Sequence, residues 1–193
     1  GKADGTLTEM MSYGIVQLIN TENIDVTVDL HEASPEYPVI NALIAHERAM
    51  NLASNVVVDM QMEGVQISLE PSPTDLRGLT HRELGDHTDT LALLMEAPNP
   101  AQGRLRDRTD EALVLTGKSE TYVKAGEIGQ LYVPYDENGW PIEVRCARHV
   151  FGIERILANY SEMYEEPIIV TGMPSYDELV KNGMGPYLNE PTT

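Results

Sequence analysis

The sequence predicts an α/β domain built around a mixed sheet. Segments with helical and strand-like patterns alternate along the chain, and that element order is typical of this class. A β-branched run over residues 25–31 and an apolar run over residues 91–95 have the length and composition of buried strands. With 193 residues and 41% apolar content, the chain has ordinary globular composition and a length that fits one domain.

A helix is predicted over residues 6–20, followed by a strand. Thr6 and Glu9 have the spacing of a capping box, in which each side chain bonds a free backbone N–H at the start of the helix. The β-branched run 25–31 then predicts a buried strand that ends at His31. The apolar residues of the helix recur on one face; they are Leu7, Met10, Met11, Ile15, Leu18 and Ile19.

The middle of the chain is predicted to hold a second helix and further strands. An apolar stripe at helical spacing predicts a helix over residues 38–54. Residues 56–58 and 65–69 are strand candidates, and residues 91–95 are predicted to form a central strand. Residues 70–89 are rich in Pro, Gly, Thr and charge, which predicts a long loop of functional or mobile character.

The last part of the chain predicts a closing helix and an extension. Thr109 can cap a short helix. A longer helix is expected over residues 142–165, and a last strand over residues 168–171. We therefore expect residues 1–140 to form the body of the domain and residues 141–193 its closing helix and C-terminal extension.

Charge and composition argue against several classes of partner. The net charge of −18 disfavours binding to nucleic acid, which needs a basic surface, and docking on anionic lipid. No apolar run reaches the roughly 18 residues of a spanning helix, so no membrane partner is expected. Cys146 is the single cysteine, which excludes an internal disulfide and a thiolate-only zinc site. No signal peptide is visible, and the compartment stays open between cytoplasm and periplasm because an upstream segment could have been removed.

His31 is the first candidate for site chemistry. It ends a predicted strand, where open α/β sheets bind their ligands. Strand alternation places Asp29 on the same side, where a carboxylate can orient an imidazole that binds zinc. The alternative is a histidine that only bonds a backbone carbonyl.

Glu96 is the second candidate. It directly follows four apolar residues and is expected to be partly desolvated. Desolvation raises the pKa of a carboxyl group toward the range that suits general acid–base catalysis. The alternative is a carboxylate that emerges into solvent at the end of its strand.

Positive charge is concentrated around Glu96. Nine of the 13 basic residues bracket it, and guanidinium groups can clamp a carboxylate. Arg82 and His81 are therefore candidates for binding a small acidic or peptide substrate, against the alternative of solvated arginines paired with surface acids. The nine residues are Arg77, Arg82, Arg104, Arg106, Arg108, Lys118, Lys124, Arg145 and Arg148.

Two loop histidines offer a different metal site. His81 or His87 could join His31 as ligands. Histidines six residues apart do not share a helix face, and nothing in the sequence brings either of them to the end of the strand.

Three pieces of the chain together resemble the zinc carboxypeptidase superfamily, which includes succinylglutamate desuccinylase and aspartoacylase. Gly5-Thr6-Leu7-Thr8-Glu9 looks like the stretch after the family's Asn-Arg-x-x-Pro-Gly segment. Asp29-Leu30-His31 looks like the strand that carries the third zinc ligand, and residues 93–100 look like the strand that ends in the catalytic glutamate. The resemblance covers roughly the first 100 residues.

The resemblance implies a fold, an activity and a missing piece. The fold would be a three-layer α/β/α sandwich around a mixed sheet, here without its N-terminal strands. His31 would bind zinc, and Glu96 would activate water and then protonate the leaving amine of an amide next to a carboxylate. The family's other two ligands come from a His-x-x-Glu motif, which does not occur in this chain.

That absence leaves two interpretations open. In the first, the chain is the C-terminal part of a zinc hydrolase and needs an N-terminal complement, from the same domain or another chain, to cover its sheet and complete the metal site. In the second, it is a non-catalytic binding or structural subunit with the same fold.

Overall fold

The computed structural model describes residues 1–106 and 110–188. In these residues, seven helices, two short 3-10 turns and one four-stranded mixed sheet form an α/β fold, which confirms the predicted class. The strands are β1 (Val26–Ala33), β2 (Ala42–Ala45), β3 (Ser68–Pro71) and β4 (Leu91–Pro98). The helices are α1 (Leu7–Glu22), α2 (Met50–Met62), α3 (Thr80–His87), α4 (Glu111–Thr116), α5 (Glu120–Glu127), α6 (Ile142–Tyr164) and α7 (Tyr176–Asn182).

The sheet has the order β1-β4-β2-β3, so β4 is central, as its continuous apolar run predicts. β1 runs parallel to β4, and β2 runs antiparallel to it. β2 pairs in parallel with β3 at the far side of the sheet. The register aligns His31 of β1 with Glu96 of β4, so both side chains leave the sheet at the same level.

Helices cover both faces of the sheet. On one face, α2 and α6 pack over Leu43, Leu93 and Met95 in the main core. On the other face, Ile19 of α1 and Leu84 of α3 pack against the sheet. Apolar side chains alternate between the two faces along each strand, so both faces are packed against helices. The sheet is therefore the middle layer of three.

The first helix is confirmed, but its apolar stripe is mostly not covered. The reciprocal capping box of Thr6 and Glu9 is present. Ile19 is the buried residue of the helix, whereas Leu7 is 70% and Leu18 is 55% exposed. The apolar periodicity therefore predicted the helix correctly, but within the described residues most of the stripe stays exposed and only its C-terminal part packs on the sheet.

The helix predicted over residues 38–54 is confirmed only for residues 50–54, which lie in α2, and is wrong for residues 42–45. The predicted strand over residues 56–58 is wrong, and so is the strand start at residue 65, since β3 begins at Ser68. Residues 42–45 form the fully buried strand β2, with side chains packed on both faces of the sheet. A short apolar run buried on both sides cannot be told from a helix by its periodicity. Residues 56–58 lie inside α2, because packing against the core overrides β-branched propensity.

Residues 70–89 are not one long loop, since α3 occupies Thr80–His87. Its N-cap residue is Leu79, whose side chain makes no capping bond, so the usual signal of a helix start is missing. The predicted strand at 168–171 is also wrong, since no strand forms there. Thr109 lies outside the described residues, and Asp110 provides the side-chain cap of α4.

The predicted helix over residues 142–165 is confirmed as α6. Gly152, in its middle, approaches the sheet so closely that a Cβ there would lie 2.2 Å from Cε of Met95. Glycine at this position thus lets α6 pack directly on β4. None of the helices within residues 1–106 and 110–188 is long and apolar enough to cross a membrane.

Candidate functional site

His31 and Glu96 face each other near the C-terminal ends of β1 and β4, two residues before each strand ends. The predicted end of the first strand at His31 is therefore two residues too early. The two residues are aligned in register on neighbouring parallel strands, and His31 Nδ1 lies 4.0 Å from Glu96 Oε2. Side chains at aligned positions of a sheet leave it on the same face. Two candidates chosen separately from the sequence thus share one site.

Asp29 holds the other side of the His31 ring. It lies two residues earlier on β1, and its Oδ2 is 3.1 Å from Nε2 of His31. A proton on Nε2 directed at this carboxylate leaves the lone pair of Nδ1 facing Glu96. This arrangement matches the carboxylate–histidine pairs that orient metal ligands in proteins.

Glu96 is a carboxyl group in a largely desolvated position. Its side chain is 11% exposed. Burial raises the pKa of Glu96, the charge of His31 lowers it, and the charges of Asp29 and Glu32 raise it; together they bring it to about 7. A carboxyl group with a pKa near neutrality can both accept and return a proton at physiological pH.

A cavity of about 520 Å³ opens between this end of the sheet and the segment that carries α3. His31 and Glu96 line it together with His81. The rest of the lining is mostly apolar, namely Ala33, Tyr37, Val39, Ile44, Pro71, Pro73, Leu76, Gly78, Leu79, Thr80 and Leu94. The volume is that of a small-molecule site.

His81 lies in the first turn of α3 and is only 4% exposed. Neither of its ring nitrogens has a hydrogen-bond partner in the described part of the chain. Burial, followed by the charge of Arg82, lowers its pKa to about 4, so the ring is neutral at pH 7. His81 is a candidate from the sequence, but it is α3, a helix that the sequence did not predict, that brings it to the cavity lined by His31.

Arg82, by contrast, points into the protein and does not line the cavity. Its Nη2 donates to both carboxylate oxygens of Glu47 at 2.7 and 2.8 Å, and its Nε donates to Ser72 Oγ at 3.1 Å. A guanidinium group with these partners joins α3 to the segments before α2 and after β3. The carboxylate clamp expected of Arg82 is therefore not formed by this arrangement.

His87 and Arg148 also have partners away from the site. His87 is exposed and pairs with Glu83 one helical turn away at 3.3 Å. Arg148 donates to the side chain of Asn41 and to the backbone carbonyl of Gln66. Arg108 lies outside the described residues. The structure thus brings His81 to the site but not His87.

One supporting contact was not found from the sequence. Glu32, the residue after His31, accepts hydrogen bonds from Arg145 Nε at 2.6 Å and Asn99 Nδ2 at 2.7 Å. Arg145 lies on α6 and is 1% exposed. This charge-assisted contact ties the end of β1 to α6 and to the turn after β4, and it fixes the backbone on which His31 stands.

The described residues do not contain a complete metal site. No three His, Cys, Asp or Glu side chains within residues 1–106 and 110–188 are placed so that they could hold one ion. His31 can offer one nitrogen, whereas catalytic zinc usually has three protein ligands. The donor chemistry of His31 suits zinc, but the rest of the ligand set would have to come from elsewhere.

Comparison of the chain with known protein families, with curated proteins and with solved structures gives no match. The fold and the site themselves define an α/β domain with a histidine–carboxylate pair at the end of two parallel strands.

Proposed function

We propose that this chain is the C-terminal part of the catalytic domain of a zinc-dependent amide hydrolase of the carboxypeptidase type. The observation that supports the proposal most is the meeting of His31 and Glu96, with Asp29 behind the imidazole ring. The three side chains supply a metal ligand, the carboxylate that orients it and a desolvated base.

Each residue has a defined role in this reaction. His31 would hold zinc through Nδ1, while Asp29 fixes the ring. Zinc, if held there, would polarise a carbonyl oxygen and acidify water. Glu96 takes a proton from the water whose oxygen attacks the amide carbon, and it delivers a proton to the nitrogen as the C–N bond breaks. The raised pKa of Glu96 suits both transfers.

The other ligands would come from an N-terminal complement, either an upstream part of the same domain or another chain. Two features of the described residues support this part of the proposal. β1 lies at the edge of the sheet, where unpaired backbone groups can accept another strand. The apolar stripe of α1 is largely exposed, which is typical of a surface that another segment covers.

The test compares Glu96→Gln with Glu137→Gln in the protein that includes the complement. Glu137 is an exposed carboxylate in a turn and serves as the matched control. With zinc loaded, we expect Glu96→Gln to lower kcat on N-acyl amino acids and short peptides by at least about 100-fold. Zinc content and Glu137→Gln activity should equal those of the wild type.

A non-catalytic subunit remains the second candidate, because the described residues lack three ligands around one point. In that case the complete protein would bind zinc at well below one equivalent, and Glu96→Gln would change no turnover. Either result would contradict the hydrolase.

A further inference from the structure

We propose that the cavity between the sheet and α3 binds the uncharged, apolar part of a substrate, and that His81 hydrogen-bonds a polar atom of that part. The inference names a substrate class for the hydrolase proposed above and rests on that proposal for the chemistry. The binding itself depends only on the cavity and on His81.

His81 has hydrogen-bonding capacity that no described residue uses. A buried polar group without a partner costs about 1–3 kcal/mol, and native structures contain few of them. His81 has two such nitrogens in a ring that is 4% exposed, and it lines the cavity. A neutral imidazole carries one donor and one acceptor, so it can bind an amide or carbonyl group that enters the cavity.

The wall of the cavity is mostly apolar. Apolar side chains from four parts of the chain converge there, including Val39, Ile44, Leu79 and Leu94. Pockets of this size bind small ligands mainly by apolar contact, with a few polar groups that set the orientation. A branched aliphatic or aromatic group fits such a wall, while His81 holds the polar atom beside it.

The charged groups around the cavity disfavour an anionic ligand. Among the described residues, no Lys or Arg lines the cavity. Glu96 contributes a carboxyl group to the lining, and Asp29 lies 3.1 Å from the lining residue His31. On the α3 side, the guanidinium groups of Arg77 and Arg82 pair with Asp86. An anion would thus meet acidic groups without a cation, so any carboxylate of the substrate lies outside this cavity.

The experiment measures binding of two probes to the 193-residue chain without metal. N-acetyl-leucinamide is neutral and apolar, and N-acetyl-aspartate is of similar size and carries two carboxylates. Dissociation constants are obtained from ligand-observed NMR, and the ring nitrogen shifts of His81 are followed in the same titration. Unfolding curves confirm that each variant is folded.

Two variants and one control separate the contributions. His81→Leu keeps the apolar volume and removes the hydrogen bond, so N-acetyl-leucinamide should bind about five- to tenfold more weakly. Val39→Phe fills the cavity and should abolish binding, even if His81→Leu does not fold. His87→Leu changes an exposed histidine of the same helix and should bind as the wild type does.

We expect the wild type to bind N-acetyl-leucinamide at least tenfold more tightly than N-acetyl-aspartate, with a shift of the His81 ring nitrogens. Tighter binding of the aspartate probe, or equal binding by the wild type and Val39→Phe, would overturn the inference. Since no metal or turnover is involved, these outcomes are independent of the Glu96→Gln test, and either proposal can fail while the other holds.

Discussion

Nδ1 of His31 lies 4.0 Å from Oε2 of Glu96, across two parallel strands that place the residues at the same level. This distance leaves room for an atom that contacts both groups. The opposite nitrogen of the ring is held by Asp29 at 3.1 Å. Because the three side chains stand on regular strands, their relative positions follow from the register of the sheet and do not depend on a loop.

The first prediction concerns the stability cost of ionising Glu96. The pKa of Glu96 is about 7 in the folded chain, against an ordinary value of 4.5 that applies to the unfolded chain. Between pH 4.5 and pH 7 the folded state therefore binds more protons than the unfolded state. Stability is then lost as the pH rises from about 4.5 to above 7, by up to about 3 kcal/mol. In the metal-free chain, Glu96→Gln should remove this loss and be more stable than the wild type at pH 8, as measured by urea unfolding at pH 5 and 8. Equal pH dependence in both proteins would contradict the desolvation of Glu96.

The second prediction has the opposite sign and concerns His81. Its pKa falls from 6.5 to about 4 on folding, so the unfolded state binds more protons between these limits. The resulting loss of stability is absent above about pH 6.5 and grows to about 3 kcal/mol as the pH falls to 4. His81→Leu should show a smaller loss between pH 7 and pH 4 than the wild type in urea unfolding. His87→Leu, at an exposed position, should keep the wild-type dependence.

The third prediction concerns the role of Asp29 in orienting His31. Asp29→Asn keeps the shape but weakens the hold on the Nε2 proton, and such changes typically cost 10- to 100-fold in metal affinity. We expect a loss in this range for zinc binding by the protein with its complement, measured by competition with a chelator. The control is Glu83→Gln, which alters the carboxylate beside the exposed His87 and should leave zinc affinity unchanged. Wild-type affinity in Asp29→Asn would remove Asp29 from the site.

The fourth prediction concerns the contact between α6 and β4. A methyl group at position 152 would overlap Met95, and overpacking of a core typically costs about 1–3 kcal/mol. We expect Gly152→Ala to destabilise the chain by this amount in urea unfolding, and Met95→Ala in the same chain to relieve part of the loss. Gly14→Ala is the control, since nothing lies within 4 Å of the added Cβ in α1, and it should stabilise by up to about 1 kcal/mol. A neutral Gly152→Ala would show that the interface can open at little cost.

Local sequence was sufficient for the elements whose signals lie within a few residues. The capping box of Thr6 and Glu9 marked the start of α1, and the apolar run before Glu96 marked β4. His31 and Glu96 became site candidates because each closes a strand-like run in the sequence. In the structure, β1 and β4 both continue for two further residues, to Ala33 and Pro98. Caps, period and composition are short-range properties, so they can be read without knowing what packs against the element.

Tertiary packing decided the rest. Residues 42–45 form a strand because β4 and β3 enclose them on both sides. Residues 56–58 are helical because Val56 and Val57 are buried against the core from α2, whereas Val58 is exposed. The segment predicted as a loop contains α3, and this helix places His81 in the cavity lining and Arg82 away from it. The sequence by itself therefore determined which residues are candidates for the site, whereas long-range burial, which no local pattern encodes, decided which of them meet.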